Sequence, residues 1–147
     1  MAQFIGTSML RGFEGMLTRG FFDATTEIKK NDGTTPVQGF GVAVKINSDA
    51  TGVTPCDDDA DTCYGISVRV YGQADNAGIQ EQTFVTVLRR GYIAVKPKAG
   101  TPALGGTVYL DPDGLISADS TGAVAIPGAH WMGPVDADGL AELAFNA

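Results

Sequence analysis

The densest group of reactive side chains is the loop Cys56-Asp57-Asp58-Asp59-Ala60-Asp61-Thr62-Cys63. Asp57, Asp59 and Asp61 copy the spacing of the first ligands of a calcium loop, where alternate oxygens surround a hard cation. The turn glycine of such a loop is replaced by Thr62, and Val68 stands where the bidentate glutamate is needed. An EF-hand is therefore excluded, and the segment reads as a solvated loop between strands. Cys56 and Cys63 could close a small ring. A chain with a single histidine, His130, has no Cys and His set for tetrahedral zinc, and in a reducing compartment both cysteines are expected as thiols. Neither a metal nor a cofactor is predicted.

The other candidate chemistry dissolves on inspection. The stretch Gly100-Thr101-Pro102-Ala103-Leu104-Gly105-Gly106-Thr107 has the glycine spacing of a phosphate-binding loop, but Gly106 occupies the lysine position and the loop leads into a strand rather than a helix. His130 could meet Ser117, Ser120 or Cys63 in three dimensions, as a small hydrolase would require, yet no nucleophile elbow supports the pairing. The carboxylate pairs Asp111/Asp113 and Asp136/Asp138 are explained by turns. The chain is expected not to be an enzyme.

The elements that position these residues are short and alternate in polarity. Phe40, Val42, Val44 and Ile46 fall on one face of an extended segment, as do Ile66, Val68 and Val70, with Ser67, Arg69 and Tyr71 opposed. Thr83–Leu88 and Tyr92–Lys96 flank Arg89-Arg90-Gly91, which predicts a hairpin or sharp bend. Thr107–Leu110 runs into the turn Asp111-Pro112-Asp113-Gly114, and a second D-x-D-G-L element at residues 136–140 feeds a terminal strand over Leu140–Phe145. Strands at this spacing, without helical periodicity between them, predict an all-β fold: a single compact antiparallel β-sandwich or barrel.

The chain has 147 residues, 44% of them hydrophobic, enough for one domain with a real core. No apolar run of about 18 residues is present to cross a bilayer, and the basic and apolar regions of a secretory signal are missing. Synthesis in a cytoplasm is expected, with no membrane partner. A net charge of -7 argues against nucleic acid, whose binding rests on lysine and arginine neutralising phosphates.

Residues 1–32 differ from the β domain expected at 33–147. Phe4, Ile5, Met9, Leu10, Phe13, Met16, Leu17, Phe21 and Phe22 are interrupted by Gly6, Gly12, Gly15 and Gly20. Met9, Leu10, Phe13, Met16 and Leu17 suit one helical face, but each interior glycine costs a helix about 1 kcal/mol relative to alanine. The segment therefore reads as an extended or partly helical arm that buries its side chains on a partner. The same residues allow a second reading, a short amphipathic helix capping the chain's own core.

A series of short words runs through nearly the whole chain: Gly12-Phe13-Glu14-Gly15-Met16-Leu17, Phe40-Gly41-Val42-Ala43-Val44, Gly65-Ile66-Ser67-Val68, Gly105-Gly106-Thr107-Val108-Tyr109-Leu110 with Asp113-Gly114, the isolated Gly128, and Asp138-Gly139-Leu140-Ala141-Glu142-Leu143. In this order they resemble the cement or decoration proteins of tailed-bacteriophage capsids. The resemblance implies a structural virion protein, made in the bacterial host cytoplasm and present in many copies on the capsid exterior. There it would bridge neighbouring major capsid subunits without catalysis. An arm suits such seams because it buries much surface per residue, and Phe4, Met9, Leu10, Phe13, Met16, Leu17, Phe21 and Phe22 are its candidate anchors. Tyr71, Tyr92 and Tyr109 suit half-buried contacts with neighbouring copies, which predicts a homo-oligomer. The alternative is a carbohydrate-binding β-sandwich module in which Trp131 stacks on a sugar with Tyr92 or Tyr109.

Overall fold

The two-residue period of the apolar side chains becomes strands over much of the described chain, although Phe40, Val42 and Val68 lie just outside them. The computed structural model describes residues 12–31, 37, 39–69 and 84–147. Its strands are β1 (Thr25–Asn31), β2 (Ala43–Ile46), β3 (Gly52–Pro55), β4 (Gly65–Ser67), β5 (Phe84–Val95), β6 (Thr107–Leu110), β7 (Ile116–Ser117), β8 (Val124–Trp131) and β9 (Ala141–Phe145). Five of them close on themselves in the order β1-β3-β2-β4-β5, with β5 returning to β1. The result is a barrel whose pairs are antiparallel except β1–β3, where Lys30 and Asn31 lie opposite Gly52 and Val53 in parallel. From β5 a second sheet continues as β9-β8-β6-β7, all antiparallel. The all-β barrel expected from the sequence is present.

Alternation along β5 divides the interior into two cores. Val85 and Val87 point into the barrel, where they meet Val37, Phe40, Val44 and Val53. Leu88, Ile93 and Val95 join Ile66, Leu110, Trp131, Leu143 and Phe145 in the core of the second sheet. β9 is buried at every position because β5 and β8 flank it. β4 is likewise buried throughout, including Ser67, so the one-sided burial expected of that segment is not found. The Ser67 hydroxyl is satisfied by the Val42 N–H at 3.2 Å.

Of the hairpin or sharp bend expected at Arg89-Arg90-Gly91, the hairpin is not found: these residues are the middle of one strand, with a register shift where they face Thr25 and Thr26. β5 runs through all 12 residues, pairing with β1 and β4 in its first half and with β9 from Gly91 onward. Turn chemistry misled here, since Gly91 serves close packing. Its φ is +142°, and an added Cβ would lie 3.0 Å from the Asp23 carbonyl oxygen and 3.1 Å from Ala24.

Both D-x-D-G-L elements form the expected turns. The Gly114 N–H donates to the Asp111 carbonyl at 2.8 Å between β6 and β7, and Gly139 donates to Asp136 at 3.1 Å before β9. The Asp136 carboxylate also accepts the N–H groups of Asp138 and Leu140, at 2.9 and 3.0 Å. Residues 100–106 form a loop, as expected, and Thr107 opens β6. The open edge of β7 is covered by Lys98 and Ala99, through Lys98 N–H to the Ile116 carbonyl and Ala118 N–H to the Ala99 carbonyl, each 2.9 Å.

Of the arm expected as extended or partly helical, residues 1–11 lie outside the described residues; the described part contains no α-helix, and residues 12–24 carry only a 3-10 turn at Phe21–Asp23. Residues 25–31, grouped above with the N-terminal segment, form β1 and close the barrel. At that closure a polar cluster lies beside the barrel core. The Tyr64 hydroxyl donates to Glu27 at 2.5 Å, Lys29 lies 3.6 Å and Arg89 3.9 Å from the same carboxylate, and the Arg89 guanidinium stacks 3.7 Å from the Tyr64 ring centre.

The Tyr64 hydrogen bond, aided by Lys29 and Arg89, holds the Glu27 carboxyl below its ordinary value of 4.5. Its contribution to stability is therefore complete above that value and is lost as pH falls through the lowered folded value. Glu27→Gln is expected to flatten the acid limb of a Tm-against-pH curve. An acid limb identical to that of the parent protein would show that closure does not depend on this charge.

Candidate functional site

The N-terminal segment takes a path fixed by glycine and backbone pairing. The Gly15 N–H donates to the Ala94 carbonyl at 2.8 Å, Ala94 donates to Met16 at 2.9 Å, and Thr18 donates to Tyr92 at 3.2 Å, so residues 15–18 lie along the second half of β5. Leu17 sits opposite Ile93 and packs on the second core. On its other side the Gly15 carbonyl accepts the Arg69 N–H at 2.8 Å, and the Glu14 carbonyl accepts Arg69 Nε at 3.0 Å. Gly15 thus pins β5 to the chain leaving β4. Its φ is +79°, and a Cβ there would come within 2.4 Å of the Phe40 Cβ.

Charged side chains complete the attachment. Glu142 on β9 accepts both the Thr18 hydroxyl and Arg19, whose Nη2 lies 3.1 Å from Oε1 and Nε 3.2 Å from Oε2. The Arg19 guanidinium also covers the Tyr92 ring at 3.9 Å. The hydrogen bond to Glu142 raises the Arg19 pKa above its ordinary value.

The eight candidate anchors separate under this arrangement. Phe4, Met9 and Leu10 lie outside the described residues. Leu17 is half-buried in the chain's own core. Phe13 is 65% exposed, with the Arg69 guanidinium 5.5 Å from its ring centre. Met16 borders solvent and its Sδ accepts the Phe13 N–H at 3.2 Å. Phe21 opens the 3-10 turn, and Phe22 beside it is 89% exposed. A segment stapled by its backbone therefore holds two phenylalanine rings toward solvent.

The alternative chemical sites are occupied by structural bonds. Lys45 bridges Asp57 at 2.7 Å and Asp61 at 3.1 Å, which converts the acidic loop into a closure around an ammonium group. Burial would raise the Asp61 carboxyl, but hydrogen bonds from the Asp57 N–H and Lys45 outweigh it and hold the pKa below the ordinary carboxylate value. Among the described residues no three metal-ligating side chains converge. Ser117 is fully buried, donating to the Ala99 carbonyl and accepting the Asp119 N–H. His130 lies in β8 opposite Thr107 and Ala144. A cleft of about 300 Å³ beside Glu14 is walled by Phe40, Val42, Leu115 and Ile116, and Lys98 on its rim is held by Asp111 and Asp113.

Trp131, expected as a sugar platform in the alternative reading, is 1% exposed in the second core. Strand alternation puts it on the inner face of β8, and the Tyr92 ring is covered by Arg19, so this pair presents no stacking surface.

The whole arrangement is that of a two-core β body carrying a segment that exposes Phe13 and Phe22, and comparison with known proteins gives it a family. The family model described as structural cement protein (E217 gp24/Pam3 gp6) matches residues 2–146. The chain belongs to the phage structural cement proteins. Among solved structures, a chain from the capsid of Myoviridae phage XM1 shares the fold, with a TM-score of 0.70 and 16% identity over 97% of this chain and 94% of that chain. A search of curated proteins returns no similar sequence. The family is one of structural proteins rather than enzymes, so this cement protein has a structural role in the capsid and is virion-associated.

Two outcomes test this geometry. Gly15→Ala adds a left-handed backbone penalty and a clash with Phe40, and is expected to lower stability by about 2–4 kcal/mol in denaturant unfolding. Burial pushes the Cys56 and Cys63 thiols up to about 12. Both are expected to resist a thiol reagent at neutral pH until the protein is unfolded, and rapid labelling of the native protein would contradict their placement.

Proposed function

We propose that this cement protein binds the outside of a phage head and bridges neighbouring major capsid subunits, stiffening the shell. The N-terminal segment ahead of β1, residues 1–24, makes the contact, and the barrel with its second sheet, β1 included, serves as its platform. The observation that carries the reading is the pairing of a fixed backbone with solvent-facing rings. Residues 15–18 are bonded to β5 while Phe13 and Phe22 are 65% and 89% exposed. A backbone already held in place beside these rings loses little conformational freedom on docking, so more of the rings' burial energy, about 1.5–3 kcal/mol for a large apolar side chain, is available for binding. Phe4, Met9 and Leu10 extend the same apolar character toward the N-terminus, and Met16, Leu17 and Phe21 complete the set of anchors.

Many symmetric copies would turn modest single contacts into substantial reinforcement of the shell. Neighbouring copies of the cement protein are further partners in this reading, and the assembly is a homo-oligomer.

The test is co-sedimentation with undecorated heads. The parent protein is expected to pellet with them, while a chain carrying Phe13→Ser and Phe22→Ser, and a chain lacking residues 1–11, are each expected to bind about tenfold more weakly or worse. Removal of residues 1–30 would be uninformative because it deletes β1 and opens the barrel. Equal pelleting of all three proteins would show that the N-terminal segment does not carry binding.

A further inference from the structure

We infer that the cleft between the acidic loop and β8 receives one basic side chain, a lysine or arginine, from a major capsid subunit. The inference rests on the capsid-binding reading and adds a contact made by none of the N-terminal anchors. The cleft has a volume of about 250 Å³, with Leu110, Val124, Ile126 and Pro127 on its apolar wall and Asp59 and Asp61 on its acidic one. A bulge builds the β8 wall. In the β6–β8 register Thr107 lies opposite His130 and Tyr109 opposite Ala125, so Val108 alone spans residues 126–129. Gly128 pins the bulge: its φ is +77°, its carbonyl accepts the Asn146 N–H at 2.7 Å, and an added Cβ would lie 2.3 Å from Asn146 Oδ1. Val124 stands 50% exposed beside the buried Leu110 and Ile126. The facing wall is fixed as well. The Asp61 carboxylate accepts the N–H groups of Asp57 and Asp58 at 3.0 and 3.1 Å while it pairs with Lys45, so the loop is shaped before anything docks.

Charge and shape together select the occupant. Asp61 is compensated by Lys45, whereas Asp59, on the same wall, makes no ion pair among the described residues. Asp58 is hydrogen-bonded to Asp59 and holds its carboxyl above the ordinary value of 3.8, so a cation seated there relieves the crowding of two carboxylates. A bare metal ion would leave the apolar wall unused. A lysine or arginine uses both walls, with its aliphatic stem along Leu110, Val124, Ile126 and Pro127 and its charged head at Asp59. A second copy using the same face about a two-fold axis would set Asp59 against its own counterpart, and like charges across an interface are unfavourable. A net charge of -7 further favours a basic surface on a different protein.

Full-length Asp59→Asn, Val124→Ser and Asp138→Asn proteins decide the matter. Each is compared with the parent in binding to undecorated heads at low and high salt, and each free protein is weighed by analytical ultracentrifugation. Asp59→Asn removes the charge and keeps the side-chain shape; it is expected to weaken binding about fivefold at low salt and to reduce the salt dependence, with the mass of the free protein unaltered. Val124→Ser is expected to weaken binding about threefold at both salt concentrations. Asp138→Asn makes the same change in net charge in the turn before β9, at the other end of β8, and is expected to bind as the parent does. Retained Trp131 emission identifies a folded variant; should Val124→Ser not fold, Asp59→Asn and Asp138→Asn decide. Parent-like binding by Asp59→Asn overturns the inference while leaving the N-terminal contact standing. Equal weakening by Asp138→Asn also overturns it, assigning the effect to net charge rather than to the cleft. A free mass lowered by Asp59→Asn overturns it too, assigning the cleft to contact between copies. Failure of the parent protein to bind heads at all removes both readings.

Discussion

The structure depends on the continuity of β5. One strand of 12 residues forms a wall of the barrel with β1 and β4 and then a member of the second sheet with β9. Two cores therefore share one backbone, and displacement of either would be transmitted along covalent geometry rather than across a loop. Gly91 makes the passage possible because a side chain there would meet the backbone at Asp23 and Ala24. The requirement is steric and local, yet the architecture of both sheets follows from it.

The same strand explains the N-terminal segment. β5 leaves backbone groups at Tyr92 and Ala94 that residues 15–18 satisfy, and Arg69 clamps Gly15 from the other side. Glycine in this segment does oppose a helix, but its larger role is close approach: Gly15 fits where any Cβ would strike Phe40. An apolar segment can thereby be fixed by its main chain and leave selected side chains, Phe13 and Phe22, outside. That division of labour suits a structural protein of a shell, where a contact must be presented rather than formed anew at each copy.

Several charged side chains among the described residues are paired within the fold. Lys45 closes the acidic loop, Lys98 closes the Asp111-Asp113 turn, Arg19 ties the segment to Glu142, and Arg89 with Lys29 surrounds Glu27. Residues that looked like chemistry in one dimension are crosslinks in three. Exposed pairs of this kind contribute little each, about 0–1 kcal/mol. Their consequence is geometric: they set the paths of the loops that carry them.

The sequence by itself determined the β class, both aspartate turns and the family likeness, because these depend on interactions within a few residues. A two-residue period fixes which side chains share a face, and Asp136 bonds N–H groups two and four positions away. The tertiary structure alone decided that Arg89-Arg90-Gly91 continues a strand, that residues 25–31 close the barrel, that Trp131 is core, and that Leu17 turns inward while Phe13 and Phe22 do not. Each of those outcomes turns on pairing between distant segments, such as Leu17 with Ile93 or Ile28 with Thr86. Local composition carries no record of such a partner: an apolar residue is equally suited to its own core and to another protein's surface until long-range packing fills one and leaves the other open.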